Sequence, residues 1–448
     1  MHEIITLQFG EEANHIGTHF WNTQETYFSF DEGQRSPVDS LVHFRPGLGV
    51  GRVKTFTPRV LIYDLKGGFG SMRLLNALYS EDDASETNGH EVIQEPKVQQ
   101  ISYQQGLESG IAKELKGQDI RFWSDFNKIF YHPRSTIQLN EFSLNSTITP
   151  FNEYEQGSEL FNSYRTDLVD RDVRKFAEEC DQIQGFQIFS QSHGPWAGFS
   201  SSYIEELQGE YGKTEIWTWC SEIDPNTSSR REREKRCLEF AKSIISNVEL
   251  SSLYLPLKSP ISYPAYLAID RTSKWQVSGL LSLAMETATL PTRLKDEKLL
   301  MAAVSEILKE TSARKIASLK VSFPKFGTRE IDLALGESAD HKFTNFSCLR
   351  SPTPQSLGQL EPSYVTPLQY PLIDTFPPIF TSQEKEIDVF SSISTDSGQI
   401  NRIKDTQKVV AQMLRGEERS ELIEALQAIS EQLMGPNDYD YENDESDN

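Results

Sequence analysis

The sequence predicts an α/β protein with a mostly parallel sheet, a second α/β domain and C-terminal helices. Short apolar segments that suit buried strands alternate with segments of helical periodicity through the first half of the chain. The length of 448 residues allows two or three domains, and a hydrophobic content of 37% can bury their cores. Prolines at 256, 260 and 264 predict a domain boundary there.

The first half opens with a strand, a turn and a helix. Residues 4–9 alternate in apolar character and predict a strand that Gly10 ends, and apolar residues at helical spacing predict a helix over 14–27. Residues 60–63 are apolar throughout, as expected for a strand that is buried on both faces. The elements expected next are a helix at 166–181, a strand at 186–189, a loop at 190–198, another helix, and a strand at 216–220.

The long helix predicted at 230–250 is interpreted as a central helix that joins the two domains. In the second domain a helix is expected near 272–289 and a strand near 317–323. The predicted units are a first domain at 1–255 with an exposed loop at 80–100, a second α/β domain at 256–395, C-terminal helices at 396–436 and a disordered acidic tail at 437–448.

Composition limits the partners and the compartment. The formal net charge of -22 disfavours direct nucleic-acid binding and repels anionic lipid, which leaves proteins as the expected partners. No apolar run approaches the ~20 residues of a transmembrane helix, so only peripheral membrane association is left open. The N-terminus resembles a strand rather than a signal or transit peptide. Four cysteines without paired spacing suit reduced thiols in a cytosolic protein.

Two clusters have more than one interpretation from sequence. His15 and His19 have the spacing of a helical metal-ligand pair, but no third ligand is evident, so the favoured interpretation is a polar helix face. The aromatic block at 122–131 suits either a core-packing segment or an exposed patch for a partner.

Three segments then occur in an order that is typical of tubulins. They are EIITLQFGEEANHIG at 3–17 followed by FW at 20–21, PRVLIYDL at 58–65, and DVRK at 172–175 with CDQIQGFQ at 180–187 and EEL and EY at 205–211. In this order they resemble the first strand and phosphate loop, the second strand, and the helix-strand-loop-helix unit of the tubulin/FtsZ superfamily. WSDF at 123–126, YHPRS at 131–135 and QLN at 138–140 resemble a segment, about 80–142, that is peculiar to the Misato family.

The resemblance implies a Rossmann-like first domain with a nucleotide pocket at the carboxyl ends of its strands. In such a site, backbone N–H groups and helix N-termini face the phosphates. The positions carried over as a vestigial pocket are Gly10, Glu11, Glu12, Asn14, Asp64, Gly67, Gly68, Ser192, His193, Gly194 and Gly198.

Several substitutions indicate that this pocket has decayed. The glycine-rich loop of tubulins is replaced by SQSHGPWAG at 190–198, where Pro195 has no N–H to donate and Trp196 is bulky. Glu11 and Glu12 would repel a triphosphate unless Mg²⁺ lay between them, with Glu11 as its ligand. Asp64 suits either a nucleotide site or a hydrogen bond to a neighbouring loop.

We therefore expect no catalysis, no required cofactor and no bound metal. The region 287–294 lacks the acidic motif with which tubulin polymers hydrolyse GTP, and Asp296 and Glu297 beyond it suit an ordinary helix start. Residual binding of GTP or GDP with Mg²⁺ stays open.

The resemblance implies a role in mitochondrial inheritance. This covers partitioning of the organelle and its DNA, with mitochondrial distribution and morphology, from the cytosolic face of the outer membrane and the cytoplasm. The expected partners are tubulin, chaperonin or mitochondrial surface proteins. The alternatives are an assembling tubulin/FtsZ-like GTPase, and a factor associated with cytoplasmic tubulin and its chaperones.

Overall fold

The structure is a computed structural model that carries side chains. It describes residues 2–28, 36–72, 98–111, 113–222, 229–309, 314–334, 342–353, 360–382 and 384–434. The predicted acidic tail at 437–448 and most of the predicted loop at 80–100 lie outside these residues.

Eight strands belong to the first half of the chain. They are β1 (Glu3–Phe9), β2 (Phe44–Leu48), β3 (Lys54–Pro58), β4 (Val60–Lys66), β5 (Thr136–Ser143), β6 (Ile183–Gln191), β7 (Glu215–Glu222) and β8 (Leu253–Lys258). Six of them form a parallel sheet in the order β5-β4-β1-β6-β7-β8, while β2 and β3 pair as a separate antiparallel hairpin. The parallel α/β architecture predicted for this half is therefore confirmed.

Ten α-helices are found among the described residues. They are α1 (Gly10–Glu25), α2 (Ser102–Ser109), α3 (Tyr154–Thr166), α4 (Arg174–Glu178), α5 (Pro195–Tyr211), α6 (Arg230–Leu250), α7 (Lys274–Thr289), α8 (Met301–Lys309), α9 (Ile400–Met413) and α10 (Glu417–Leu433). A π-helical stretch, Asp167–Val173, connects α3 to α4. Short 3-10 turns lie at Ser40–Val42, Val50–Arg52, Gly117–Asp119, Trp123–Phe126, Pro133–Ser135, Leu290–Arg293 and Ser397–Gln399.

The second half contains a five-stranded sheet. Its strands are β9 (Ser318–Phe323), β10 (Gly327–Asp332), β11 (Lys342–Arg350), β12 (Tyr364–Thr366) and β15 (Val389–Asp396), in the order β10-β9-β15-β11-β12. A two-residue pair, β13 (Tyr370–Pro371) and β14 (Glu386–Ile387), lies beside it. The helices α9 and α10 follow this sheet, as the sequence predicts.

Three predicted boundaries are wrong. The first helix begins at Gly10 rather than residue 14, because a φ of +81° at this glycine lets the strand turn directly into a helix. The predicted loop at 190–198 shrinks to 192–194, because Pro195 occupies the first turn of α5, where its missing N–H costs nothing. The helix predicted at 166–181 is the end of a longer helical run that begins at Tyr154.

The interpretation of 230–250 as the joining helix is also wrong. This helix, α6, begins at a Ser229–Glu232 capping box and connects β7 to β8 within the first sheet. The predicted domain boundary at 255 falls inside β8. The helix that bridges the two halves is α7, which is buried from Val277 to Thr289 and packs against α1, β11 and β15.

A buried ionic cluster connects these elements. The carboxylate of Glu286 on α7 pairs with Arg293 at 2.5 Å and with Arg350 on β11, and all three side chains are fully buried. Glu286 also accepts hydrogen bonds from Gln24 at 3.1 Å and Tyr27 at 3.0 Å, which are residues of the first half. Burial alone would raise the pKa of Glu286, but the two guanidinium groups hold it below its usual value.

Candidate functional site

The candidate site lies where parallel strands of the first sheet end. The carboxyl ends of β1, β4, β6 and β7 lie at one edge of this sheet, so the segments that follow them come together. Most of the predicted site residues lie at this edge, although hydrogen bonds and packing within the protein engage many of their polar groups.

Trp196 packs directly on Gly10. A Cβ atom added at Gly10 would lie 2.3 Å from Nε1 of the indole, so this glycine is needed for the close contact. The indole is 6% exposed, and its other neighbours are the rings of Phe151, at 5.4 Å, and Phe199, at 5.6 Å. The space beside the first loop is therefore occupied by an aromatic ring of the same chain.

Gly194 directs its backbone N–H at a side chain of the protein. This N–H donates to Oε2 of Glu239 at 3.1 Å, and the N–H of Tyr154 donates to Oε1 at 3.3 Å. One carboxylate on α6 thus satisfies backbone donors at the N-terminal ends of both α3 and α5, the position in which helices favour an anion. Glu239 is only 6% exposed, and burial raises its pKa.

Asp64 serves a buried hydrogen-bond network. It accepts from Trp123 Nε1 at 2.9 Å, from Asn14 Nδ2 at 3.0 Å and from the backbone N–H of Leu65 at 2.8 Å. Burial raises the pKa of Asp64 to about 6, and these three donors oppose the rise. The Oδ1 atom of Asp64 also lies against Gly68, where a Cβ atom would come within 2.3 Å.

The two carboxylates of the first loop have separate partners. Glu11 forms a partly exposed ion pair with Lys274 at 2.6 Å, at the start of α7. Glu12 is buried and accepts from Ser221 Oγ at 3.0 Å, at the end of β7.

Three further predicted residues lie in the short turns at this edge. Gly67 follows β4 with a φ of +87°, and the backbone N–H of Ser192 donates to Ser221 at 3.0 Å. His193 contributes with Arg402 and Lys258 to an electrostatic field that lowers the pKa of Glu222 to about 2, although burial alone would raise it.

Gly198 has a packing function. It lies inside α5, and a Cβ atom there would come within 1.9 Å of the carbonyl oxygen of Tyr154. Gly157 on α3 is in the reciprocal position, because a Cβ atom added there would come within 1.7 Å of the carbonyl oxygen of Pro195. The two glycines let α3 and α5 approach each other closely, and this packing requires a glycine at 198 whether or not the residue faces a phosphate.

The residues present do not fit a magnesium triphosphate. Ser192 Oγ and Asn14 Oδ1 are buried without a hydrogen-bond partner among the described residues, but both are uncharged. The backbone donor at Gly194 is used by Glu239, and Trp196 fills the space beside Gly10. Within the described ranges, no group of three His, Cys, Asp or Glu residues could hold a metal ion.

The two histidines and the aromatic block are parts of the core. His15 contacts the carbonyl oxygen of Glu11 at 2.8 Å and His19 that of Trp275 at 3.0 Å. Burial lowers the pKa of His19 to about 3, so this ring is neutral. In the aromatic block, Trp123 and Phe126 are fully buried, whereas Phe130 is 49% exposed.

Sequence reasoning missed Glu239, Trp123 as a partner of Asp64, and the buried Glu286 cluster. Each acts through contacts between residues that are far apart in the chain, and no local pattern marks them. The region 287–294 forms the end of α7 and a 3-10 turn, Leu290–Arg293.

The fold and this strand-end site define a tubulin-like α/β protein. Residues 112–294 match a family model described as a tubulin domain, and residues 2–109 match one described as the Misato Segment II tubulin-like domain. The relatives include Protein dml1 of Aspergillus clavatus, 37% identical over 98% of this chain and 100% of that protein, and Protein dml-1 of Neurospora crassa, 35% identical over 94% and 95%. The chain therefore belongs to the DML1/Misato family of divergent tubulin-like proteins.

Proposed function

We propose that this protein is a non-catalytic, tubulin-like interaction protein that acts in mitochondrial inheritance, and that it does so without a bound nucleotide. The proposal that no nucleotide is bound rests on the position of Glu239. Its carboxylate accepts the N–H groups of Gly194 and Tyr154, where a nucleotide-binding relative of this fold would present such donors to a phosphate.

Charge and packing support the same proposal. A triphosphate would have to displace the Glu239 carboxylate and move the Trp196 indole away from Gly10. It would also meet Glu11 and Glu12 at short range, and like charges in a partly buried site repel strongly. The residue types that normally neutralise a phosphate, Arg and Lys, are represented near the first loop by Lys274, which pairs with Glu11.

The mitochondrial part rests on family membership. We propose that the protein acts at the cytosolic face of the mitochondrial outer membrane and in the cytoplasm, in partitioning the organelle and its DNA. Its partners would be proteins: tubulin, chaperonin subunits or mitochondrial surface proteins. No helix in the part of the chain that the structure describes is long and apolar enough to cross a membrane.

Nucleotide content tests the non-catalytic part directly. The purified full-length protein is denatured, and the supernatant is separated by ion exchange and quantified for guanine nucleotide. We expect far less than one equivalent, no binding of added GTP or GDP with Mg²⁺ by calorimetry, and no phosphate release. Stoichiometric guanine nucleotide accompanied by phosphate release would establish the assembling GTPase instead.

A genetic test addresses the cellular role. The chain is expressed in a fungal host whose own family member can be switched off, and mitochondrial distribution and DNA content of daughter cells are scored. We expect the wild-type chain to restore partitioning. A Glu11→Gln variant should restore it equally, because the proposed function does not use Glu11 as a metal ligand. Normal partitioning without any family member would refute the mitochondrial role.

A further inference from the structure

The hairpin of β2 and β3 differs in charge from the rest of the molecule. Residues 44–63 contain four basic side chains and no carboxylate, in a chain where Asp and Glu outnumber Lys and Arg by 66 to 44. At the base of the hairpin, Arg45 is paired with Glu179 at 2.6 Å, and Arg59 is only 3% exposed. Nearer the tip, Arg52 and Lys54 are exposed, and neither pairs with a carboxylate among the described residues.

The tip is also apolar where a surface turn is usually polar. Leu48 is 65% exposed, Val53 is 61% exposed and Phe56 is 41% exposed. Leu48 lies opposite Lys54 in the strand register, and Pro46 lies opposite Phe56.

One face of the hairpin runs from the core to the tip. Because cross-strand neighbours and alternate residues share a face, it contains Phe44, the Pro46–Phe56 pair and the Leu48–Lys54 pair. Phe44 at its base is only 2% exposed and packs on Phe28 at 4.8 Å. This face, which is apolar apart from Lys54, therefore extends from the hydrophobic core into solvent.

We propose that this hairpin tip is a membrane-contact element that binds phospholipid surfaces with anionic headgroups. Leu48, Val53 and Phe56 would enter the boundary between headgroups and acyl chains, and Arg52 and Lys54 would face the phosphates. Interfacial elements combine apolar and basic residues in this way, and the charge of the tip complements an anionic surface.

The overall acidity of the protein does not prevent this contact. Electrostatic interactions are screened over about 8 Å at physiological ionic strength, so the surface potential at the tip is dominated by nearby groups. Carboxylates elsewhere on the surface would instead repel the membrane and thereby orient the protein with the hairpin toward it. The expectation of repulsion from anionic lipid, drawn from net charge, then holds for the other faces only.

This inference is independent of nucleotide binding. A protein with an empty or an occupied nucleotide site would present the same hairpin, because the tip shares no contact with Gly194, Trp196 or Glu239. Failure in the nucleotide-content experiment and failure in the lipid experiment are consequently separate results.

Vesicle flotation of the full-length protein tests the proposal. The probes are vesicles of phosphatidylcholine alone and of phosphatidylcholine mixed with phosphatidylserine. We expect binding to the mixed vesicles that weakens with salt, and little binding to phosphatidylcholine. Leu48→Ser combined with Val53→Ser should lower the partition coefficient at least about tenfold, and Arg52→Gln or Lys54→Gln should each lower it about fivefold.

Matched control variants distinguish binding through the hairpin tip from nonspecific binding to vesicles. Ile148→Ser removes an apolar side chain that is 91% exposed elsewhere, and Lys408→Gln removes a basic side chain that is 72% exposed; neither should change vesicle binding. Unchanged thermal unfolding of the tip variants would show that they fold. The proposal is overturned if wild type does not bind mixed vesicles, or if the tip variants bind as wild type does.

Discussion

Replacing Glu239 by alanine should destabilise the protein strongly, although this residue lies on a helix with an otherwise charged and exposed start. The carboxylate joins three helices, because it extends from α6 to the backbone N–H of Tyr154 on α3 and of Gly194 before α5. Its removal leaves the buried N–H of Gly194 and the partly buried N–H of Tyr154 without this acceptor.

The magnitude follows from the two lost hydrogen bonds. A buried N–H without a partner costs about 1–3 kcal/mol, and an anion at a helix N-terminus contributes about 0.3–2 kcal/mol. Burial raises the pKa of Glu239, which means that desolvation of the carboxylate offsets part of this gain. We therefore expect Glu239→Ala to lower the free energy of unfolding by about 2–4 kcal/mol, and Glu239→Gln, which keeps one acceptor oxygen, by about 1–2 kcal/mol.

Urea unfolding followed by tryptophan fluorescence measures these differences. The matched control is Glu234→Ala on the same helix, whose carboxylate pairs with the exposed Arg230 at 2.7 Å and should contribute no more than ~1 kcal/mol. If Glu239→Ala is as stable as the control variant, the carboxylate does not engage these two N–H groups, and they would be available to a phosphate.

Three more outcomes follow from buried groups. Trp196→Ala should cost about 3–5 kcal/mol in urea unfolding, because it removes a ring that packs against Gly10; a cost below ~1 kcal/mol would show that the indole lies in a loose pocket. Asp64 has a folded-state pKa of about 6, above its ordinary value, so its contribution to stability is fully present below pH ~4 and is lost as the pH rises through about 6. Relative to Asp64→Asn, wild type should therefore lose up to ~3 kcal/mol between pH ~4 and ~7, and a flat difference would contradict the assigned burial. Glu286→Gln should cost about 3–5 kcal/mol, because it leaves Arg293 and Arg350 buried with excess positive charge, and a Glu286→Gln protein of normal stability would exclude that account.

Sequence patterns predicted the parallel sheet because burial on both faces demands continuous apolar strands. The segment 60–63 and the segment 186–189 both lie inside buried strands, β4 and β6, as expected. The positions of α9 and α10 were also predictable, since their apolar residues recur at helical spacing on one face. These properties are local, and a reader of the sequence can see them without knowing the topology.

The connections between elements were harder to predict. The helix at 230–250 looked like a joining helix because it is long and precedes a cluster of prolines, yet Pro256 lies within β8 as the edge strand of the first sheet. An edge strand tolerates proline, and the outward backbone bonds of β8 are made on either side of Pro256, where the N–H groups of Tyr254 and Lys258 donate to the carbonyl oxygens of Lys315 and Leu333. Burial identifies α7 as the helix that joins the two halves, but this burial is known only once both sheets are in place.

The contacts within the candidate site were also hard to predict from sequence. The sequence identified Trp196 and Pro195 as obstacles to a phosphate, and the contact of Trp196 with Gly10 agrees with the first of these. Pro195, however, supports the start of α5 and by itself does not remove the anion site. The residue that takes the backbone donor, Glu239, lies 45 positions away in sequence and belongs to another helix.

Glycines at a strand-to-helix turn are therefore insufficient to identify a nucleotide site in a divergent tubulin-like chain. Gly10 is required by an indole ring, and Gly198 by the backbone of a neighbouring helix. A glycine that once allowed a phosphate to approach would also allow a side chain or a helix to approach, so it would be retained after the ligand is lost. The acceptor of the adjacent N–H groups would separate the two cases, and at Gly194 that acceptor is the carboxylate of Glu239.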